Sequence, residues 1–269
     1  MSNIEKSTQA RIGSPLPNLE KTWPMPHRDE CFFYHTMQFP DGENIPGSWT
    51  IPDFTNYIGG YDVRGKTVLD IGTASGYLAF ASEQAGAAEV TGLDVASSHE
   101  LTHSWPFAKS FCYQNIGEWR EILQEDQEIP LKKSWWYGWH KNHSKARCVY
   151  APHSELYEWD CMFDVVIAGQ IVELLPEPIF SIGAWAKVAR EAVIIAFTDV
   201  AQEEAMFMRP ITDLSSPAYS YILWELSLGL YRKVFDNLDF DIEIVYSNSE
   251  HRGKSEQRPT IIARRRYTY

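Results

Sequence analysis

A doubly wound α/β domain, with a mostly parallel sheet that ends in an antiparallel hairpin, is predicted from three observations. Short apolar, β-branched runs alternate with helix-patterned stretches from about residue 66 onward. The first run, Lys66 to Ile71, leads straight into a glycine-bounded turn and then an alanine-rich helical pattern. The last two runs are joined by a polar stretch with no apolar helical spacing, which suits a hairpin rather than a crossover.

Each element follows from its own residues. Lys66 to Ile71 reads as a strand buried on both faces. Gly76 to Gly86 reads as a packed helix with a glycine stop, and Ala88 to Val95 as the second strand. Ser97 to Lys145 is polar and aromatic, partly helical, and longer than a crossover requires. Arg147 to Ala151, Phe163 to Ala168 and Ala192 to Thr198 are expected as strands, with a helix over Ile179 to Arg190. Apolar residues at helical spacing predict a helix over Tyr219 to Leu238. Phe240 to Tyr246 and Thr260 to Arg264 are the expected hairpin strands, joined by the polar connector Ser247 to Pro259. Residues 1 to 60, rich in Pro and Gly turn signals, form an irregular extension with short helices. The extension and the insertion at about 97–145 are expected to cover the site as a lid on the domain spanning 61–269.

The chain has 269 residues, 44% of them hydrophobic, enough for one large α/β domain with an appended segment or for two small domains. No apolar run is long enough for a membrane span, and Met1 to Pro24 is polar and proline-bearing rather than signal-like. Four scattered cysteines without a C-x-x-C pair suggest a reducing compartment, so a cytoplasmic protein is expected. The formal net charge of −12 repels nucleic acid. Against that trend, Ile129 to Ser154 contains no acid, and its Lys132, Lys133, Lys141, Lys145 and Arg147 interleave with Trp135, Trp136, Tyr137 and Trp139. Such a patch can stack bases, although tryptophans at this spacing more often pack on a core.

The sharpest motif is Val68-Leu69-Asp70-Ile71-Gly72-Thr73-Ala74-Ser75-Gly76-Tyr77. A dinucleotide fingerprint needs glycine where this chain has Ala74 and Tyr77, so close approach of a pyrophosphate is disfavoured. S-adenosylmethionine carries no phosphate, and two glycines bounding the turn leave room for its methionyl tail. Asp70 is placed to orient the ammonium, and Asp94, at the end of the second strand, to accept from both ribose hydroxyls.

These residues resemble the class I S-adenosylmethionine-dependent methyltransferases, from roughly Val63 to the C-terminus. "VLDIGTASGYLAF" is similar to their first motif, "GLDV" to the ribose-binding acid, and "FDVVIAGQIVELLPEP" to the motif on the fourth strand. The resemblance implies a Rossmann-like fold and S-adenosyl-L-methionine held by Asp70, Gly72, Thr73, Ala74, Gly76, Asp94, Val95, His153, Gly169 and Gln170. The acid usual after the third strand is replaced by Pro152-His153-Ser154, which is why backbone around His153 is assigned to adenine. "FYHTMQFPDGENIPGSW" and "WHKNHSKARCVYAPHSELYEW" resemble a branch similar to wobble-uridine tRNA methyltransferases that also holds small-molecule enzymes.

Methyl transfer from a sulfonium is an in-line displacement in which the protein aligns a nucleophile and excludes water. Candidate bases are His35, Tyr34, His140, His143 and Glu173, with His35 and His140 preferred and Tyr34, Trp139 and Glu173 expected to touch the acceptor. The aromatic lid and the acidic charge point to a small, partly aromatic acceptor methylated on O or N; a tRNA wobble uridine is the alternative. One rival motif competes with this reading. His99-Glu100-Leu101-Thr102-His103 fits the H-E-x-x-H zinc pattern, but Pro106 and Lys109 stand where one zinc family has glycine and histidine, and only Glu118 or Glu121 offers another third ligand. No metal is therefore expected.

Overall fold

The structure is a computed structural model that describes residues 16–96, 125–210 and 224–267. An eight-stranded sheet has the order β3-β12-β13-β8-β7-β4-β5-β6. Its parallel part consists of β4 (Thr67–Ile71), β5 (Glu89–Asp94), β6 (Arg147–Tyr150), β7 (Phe163–Gly169) and β8 (Ala189–Ala196). The long strands β12 (Phe240–His251) and β13 (Lys254–Arg265) run antiparallel, with β13 against β8. The doubly wound sheet with its terminal hairpin is therefore as the alternating pattern predicts. Because β4 is central and β5 and β7 flank it, the order reverses at the carboxyl end of β4, where ligands bind in such sheets.

Alternation along the buried strands divides the core between two faces. Leu69, Ile71, Val166, Val193 and Ile195 face α4 (Pro178–Val188) and α5 (Leu228–Asn237). Val68, Val165, Ile167, Ile194 and Ala196 face α2 (Tyr77–Gln84), α3 (Glu125–Lys141) and the N-terminal extension. Asp70 lies on this second face, in register among hydrophobic neighbours.

The described part of the extension has the short helices expected of it, a 3-10 turn at Arg28–Glu30 and a one-turn helix, and adds short strands. β1 (Met37–Gln38) and β2 (Asn44–Ile45) pair with each other, β3 (Trp49–Thr50) pairs with the far end of β12, and the one-turn helix α1 (Phe54–Tyr57) follows. Phe33, Met37, Phe39, Ile45 and Ile51 are buried, so this segment contributes to the core. Leu19 bridges Val149 on β6 at the opposite edge of the sheet.

Two other expectations need correction. The helix predicted over Tyr219 to Leu238 begins only at Leu228; Trp224–Ser227 form a strand, β11, beside β9 (Val200–Ala201) and β10 (Met208–Pro210). Ser227 marks the switch, because its hydroxyl accepts from the Leu230 and Phe207 amides and caps α5. The polar connector between the hairpin strands is itself paired. The ladder runs to His251 and Lys254, and Arg252 and Gly253 turn it with φ of 49° and 76°, the left-handed pair a type I′ turn needs.

No helix among the described residues is long and apolar enough to cross a membrane. None of their His, Cys, Asp and Glu side chains form a cluster able to hold a metal. His99 to His103 and the possible ligands Glu118 and Glu121 lie outside the described residues.

Candidate cofactor and acceptor site

The turn after β4 folds back on β5 through its backbone. The amides of Gly72 and Thr73 both donate to the Leu93 carbonyl, at 2.9 and 3.1 Å, and Gly76 N–H closes on Thr73 at 2.7 Å. Gly72 has φ of 70°, and a Cβ there would stand 2.7 Å from Ile171 Cδ1. Gly76 has φ of 89° and lies against Phe80 and Trp135. Ala74 is also left-handed, at φ 49°, a conformation uncommon for alanine. Its amide donates to Asp94 Oδ2 at 2.7 Å, which holds the conformation, while Val95 N–H donates to Asp94 Oδ1 at 2.8 Å. Asp94 thus organises the loop, and a ribose would have to share these oxygens through their remaining lone pairs.

Asp70 is different. It is fully buried, and neither carboxylate oxygen has a hydrogen-bond partner among the described residues. Burial pushes its pKa up to about 7; the nearby Thr73 hydroxyl pulls it down, the charge of Asp94 adds to the rise, and the Ala79 amide opposes it. A buried, unpaired carboxylate beneath a glycine loop is costly unless a cation arrives to meet it.

A second group of polar side chains gathers at the carboxyl ends of β7 and β8. Glu173, in the turn Val172–Leu174, is 3% exposed and accepts from Thr198 Oγ1 at 3.0 Å. Burial raises its pKa to about 7. Asp199, also raised chiefly by burial, pairs with Arg258 at 2.9 Å, and Arg258 holds Glu256 at 2.7 Å. The Arg258 guanidinium lies 5.2 Å from the Phe197 ring centre and 5.7 Å from that of Trp49. Trp49 in turn stacks on His251 at 4.4 Å. The half-buried Tyr34 and the buried Tyr57 both sense the Glu173 charge, although burial is the larger cause of their raised pKa values.

His35 stands between the two groups. Its amide donates to Ser75 Oγ of the glycine loop at 3.3 Å, and its ring contacts Tyr34 and Tyr77. Its Nδ1 is buried without a partner among the described residues, and burial holds the pKa down at about 4. The ring is therefore neutral near pH 7 and a weak proton acceptor.

Trp139 and His140 do not join this assembly. The Trp139 indole donates to the Ala146 carbonyl at 2.9 Å, at the amino end of β6, and Glu83 at the end of α2 is bonded to Ser144 nearby. His140 Nε2 is 2.8 Å from the Trp23 carbonyl and tethers the extension. These are packing roles, because α3 descends from Lys132 beside Tyr150 to the opposite end of the sheet. Trp135, Trp136 and Tyr137 are core residues too, and the Trp135 indole donates to Thr73 Oγ1 at 3.2 Å. The aromatic stretch therefore packs into the core as one wall of the domain.

His153 opens the 3-10 turn after β6, with Nδ1 3.5 Å from Ser181 Oγ. Gly169 ends β7 where a Cβ would come within 2.9 Å of Leu78 and 3.2 Å of the Tyr57 hydroxyl; Gln170 follows with φ of 50°. Ile171, Tyr57, Trp49, Asp199 and Arg258 were not singled out from the sequence. Trp49 and Ile171 lie inside the quoted stretches "FYHTMQFPDGENIPGSW" and "FDVVIAGQIVELLPEP", and Tyr57 stands just before the Gly59-Gly60 pair, whereas Asp199 and Arg258 had no such signal.

The description "Ribosomal protein L11 methyltransferase (PrmA)" belongs to the family model that matches residues 56–99, which contain β4, the glycine loop, α2 and β5. No curated protein matches the chain. The N-terminal domain of EvdMO1, solved in the presence of SAH and D-fucose, is similar over 99% of this chain and 98% of that one, with 12% identity and a TM-score of 0.55. Magnesium protoporphyrin IX methyltransferase (ChlM) from Synechocystis PCC 6803 with bound SAH aligns over 76% of each chain, at 16% identity and a TM-score of 0.46. With its strand order, the glycine loop at the switch point and the antiparallel terminal hairpin, the chain has the fold of the class I S-adenosylmethionine-dependent methyltransferases.

Proposed function

We propose that the protein is an S-adenosylmethionine-dependent methyltransferase that acts on a small-molecule acceptor. One observation carries the reading above all: the buried, unpartnered carboxylate of Asp70 under the glycine loop. The ammonium of S-adenosylmethionine supplies the positive charge and donors this carboxylate lacks, and the absence of a phosphate suits a loop with Ala74 at its centre. Gly72, Thr73 and Gly76 would line the methionyl tail and Asp94 the ribose, with the His153 turn and Gly169–Gln170 at the rim. When bound, the cofactor supplies an electrophilic methyl group. The chain's own residues orient it, exclude water and present an acceptor from the Glu173 side.

The acceptor is better described as hydroxylated than as aromatic. The tryptophans expected to sandwich a flat ring are in the core, whereas Glu173, Asp199, Arg258 and Tyr34 offer hydrogen bonds, and Trp49 an apolar face. The likeness to a domain solved with D-fucose supports the same choice. A tRNA acceptor stands as the second reading, and the ion pairs of three of its five basic residues weigh against it. Lys133 pairs with Glu30, Lys141 with Asp41 and Glu43, and Arg147 with Glu89, so these charges are neutralised within the chain. Incubation with methyl-labelled cofactor and separate metabolite and tRNA fractions tests the proposal: label is expected in the metabolites, and label confined to tRNA overturns it.

A further inference from the structure

We propose that Glu173 removes the proton from an acceptor hydroxyl as that oxygen attacks the transferable methyl group, which makes the reaction an O-methylation. This rests on the methyltransferase reading above and assigns the proton-accepting role to a residue other than His35 or His140.

Position comes first. Glu173 follows β7 by one short turn, and Ile171 in the same turn packs on the place where Gly72 would carry a Cβ. The Tyr57 hydroxyl reaches the Gly169 end of β7, and the charges of Asp70 and Glu173 both add to the larger effect of burial on its pKa. Glu173 therefore follows by two residues the side chain that touches the glycine loop.

The surroundings suit proton transfer. The Thr198 hydroxyl fixes one oxygen of Glu173. Facing it are the phenols of Tyr34 from the extension, Tyr57 from α1 and Tyr231 from α5, together with Asp199 after β8 and Arg258 on β13. Asp199 raises the pKa of Glu173 while Arg258 lowers it, and Arg258 is already engaged by Asp199 and Glu256. Glu225 on β11 acts on Asp199. Two buried polar atoms of the region, the Tyr231 hydroxyl and His35 Nδ1, have no partner among the described residues.

A side chain needed only to receive the Thr198 hydrogen bond would be glutamine at no ionisation cost. A carboxyl held near pH 7 gives the match between protonation state and basicity that general-base catalysis favours, whereas His35, near 4, is too weak a base. In the step, the O–H proton passes to Glu173 and the oxygen–methyl bond forms. The methyl–sulfur bond breaks with its electron pair left on sulfur, giving a neutral thioether. Glu173 returns its proton to solvent as product leaves.

The test compares wild type with Glu173→Gln and Glu173→Asp, using methyl-labelled S-adenosylmethionine and the metabolite fraction of the source cells. Calorimetry with S-adenosylhomocysteine and infrared titration of the carboxyl groups accompany it. The expected result is a hundredfold or greater loss of labelling in the glutamine variant and partial activity in the aspartate variant. Affinity for S-adenosylhomocysteine should stay within about twofold, and a carboxyl band titrating near pH 7 should disappear with Glu173→Gln. Equal labelling by the glutamine variant overturns the proposal, as does label recovered on nitrogen. A glutamine variant that is folded but fails to bind S-adenosylhomocysteine makes the residue part of the cofactor site and also overturns it. If wild type labels no metabolite at all, the small-molecule reading beneath it fails instead.

Discussion

Asp70 and Glu173 are acids whose pKa burial pushes up to about 7. An acid whose folded pKa is raised binds its proton more tightly folded than unfolded, so each of these groups makes stability fall as pH rises from about 4 towards about 7. Asp70→Asn removes that penalty. The ligand-free variant should melt no lower than wild type at pH 8, while its affinity for S-adenosylhomocysteine drops roughly ten- to a hundredfold, the loss of a charge-assisted hydrogen bond. Because the ammonium requires ionised Asp70, binding below about pH 7 must release a proton. Wild-type affinity should then weaken about tenfold per pH unit there, and the dependence should vanish in Asp70→Asn; a flat wild-type profile would remove Asp70 from the cofactor site. Gly72→Ala carries a double penalty, a left-handed backbone and the contact with Ile171 Cδ1, and should cost roughly 1–3 kcal/mol in denaturant unfolding. Ile171→Val, which deletes that methyl, should recover part of the loss.

At the level of elements, what a sequence reveals depends on whether the deciding contact is local. The loop from Gly72 to Gly76 was legible because the positive φ values at its two ends favour glycine, and the alternation of strands and helices pointed to a doubly wound sheet. Trp224–Ser227 was not, because its apolar spacing fits a helix and its strand character comes from Val200 and Ala201, distant in the chain. The aromatic stretch was misleading for a related reason. Nothing in consecutive tryptophans says that Trp136 will stack on Trp23, or that His140 will close on the Trp23 carbonyl. Trp23→Ala should accordingly destabilise the domain by about 2 kcal/mol in urea, part of the cost of truncating a fully buried tryptophan. Ser227→Ala, which removes the cap of α5 and the bond from Phe207, should cost about 1–2 kcal/mol, read in the same way.

For the molecule as a whole, the charge of −12 is distributed so that Lys133 and Lys141 of α3 are matched by acids of the extension. Charge reversal at Lys133 and Lys141 should therefore lower the melting temperature without giving methyl transfer a steep salt dependence. Activity lost by those reversals while the fold persists, with a strong salt slope, would instead indicate phosphate contacts. The site is a property of this scale as well. Tyr34 comes from the extension, Glu173 from the middle of the chain and Arg258 from the last strand, so no single segment contains the acceptor wall.

The pairing of Thr50 with Glu250 and of Trp49 with His251 also sets an order in time. During synthesis the first segment of the wall leaves the ribosome long before the strand that receives it exists. At elongation rates of roughly 5–20 residues per second, Trp49 waits many seconds for His251. A nascent chain can build the glycine loop and its parallel strands early. It cannot present Trp49 beside Arg258 until synthesis is nearly finished, so a prematurely terminated chain would be able to fold a cofactor cradle with nothing opposite it to receive the methyl group.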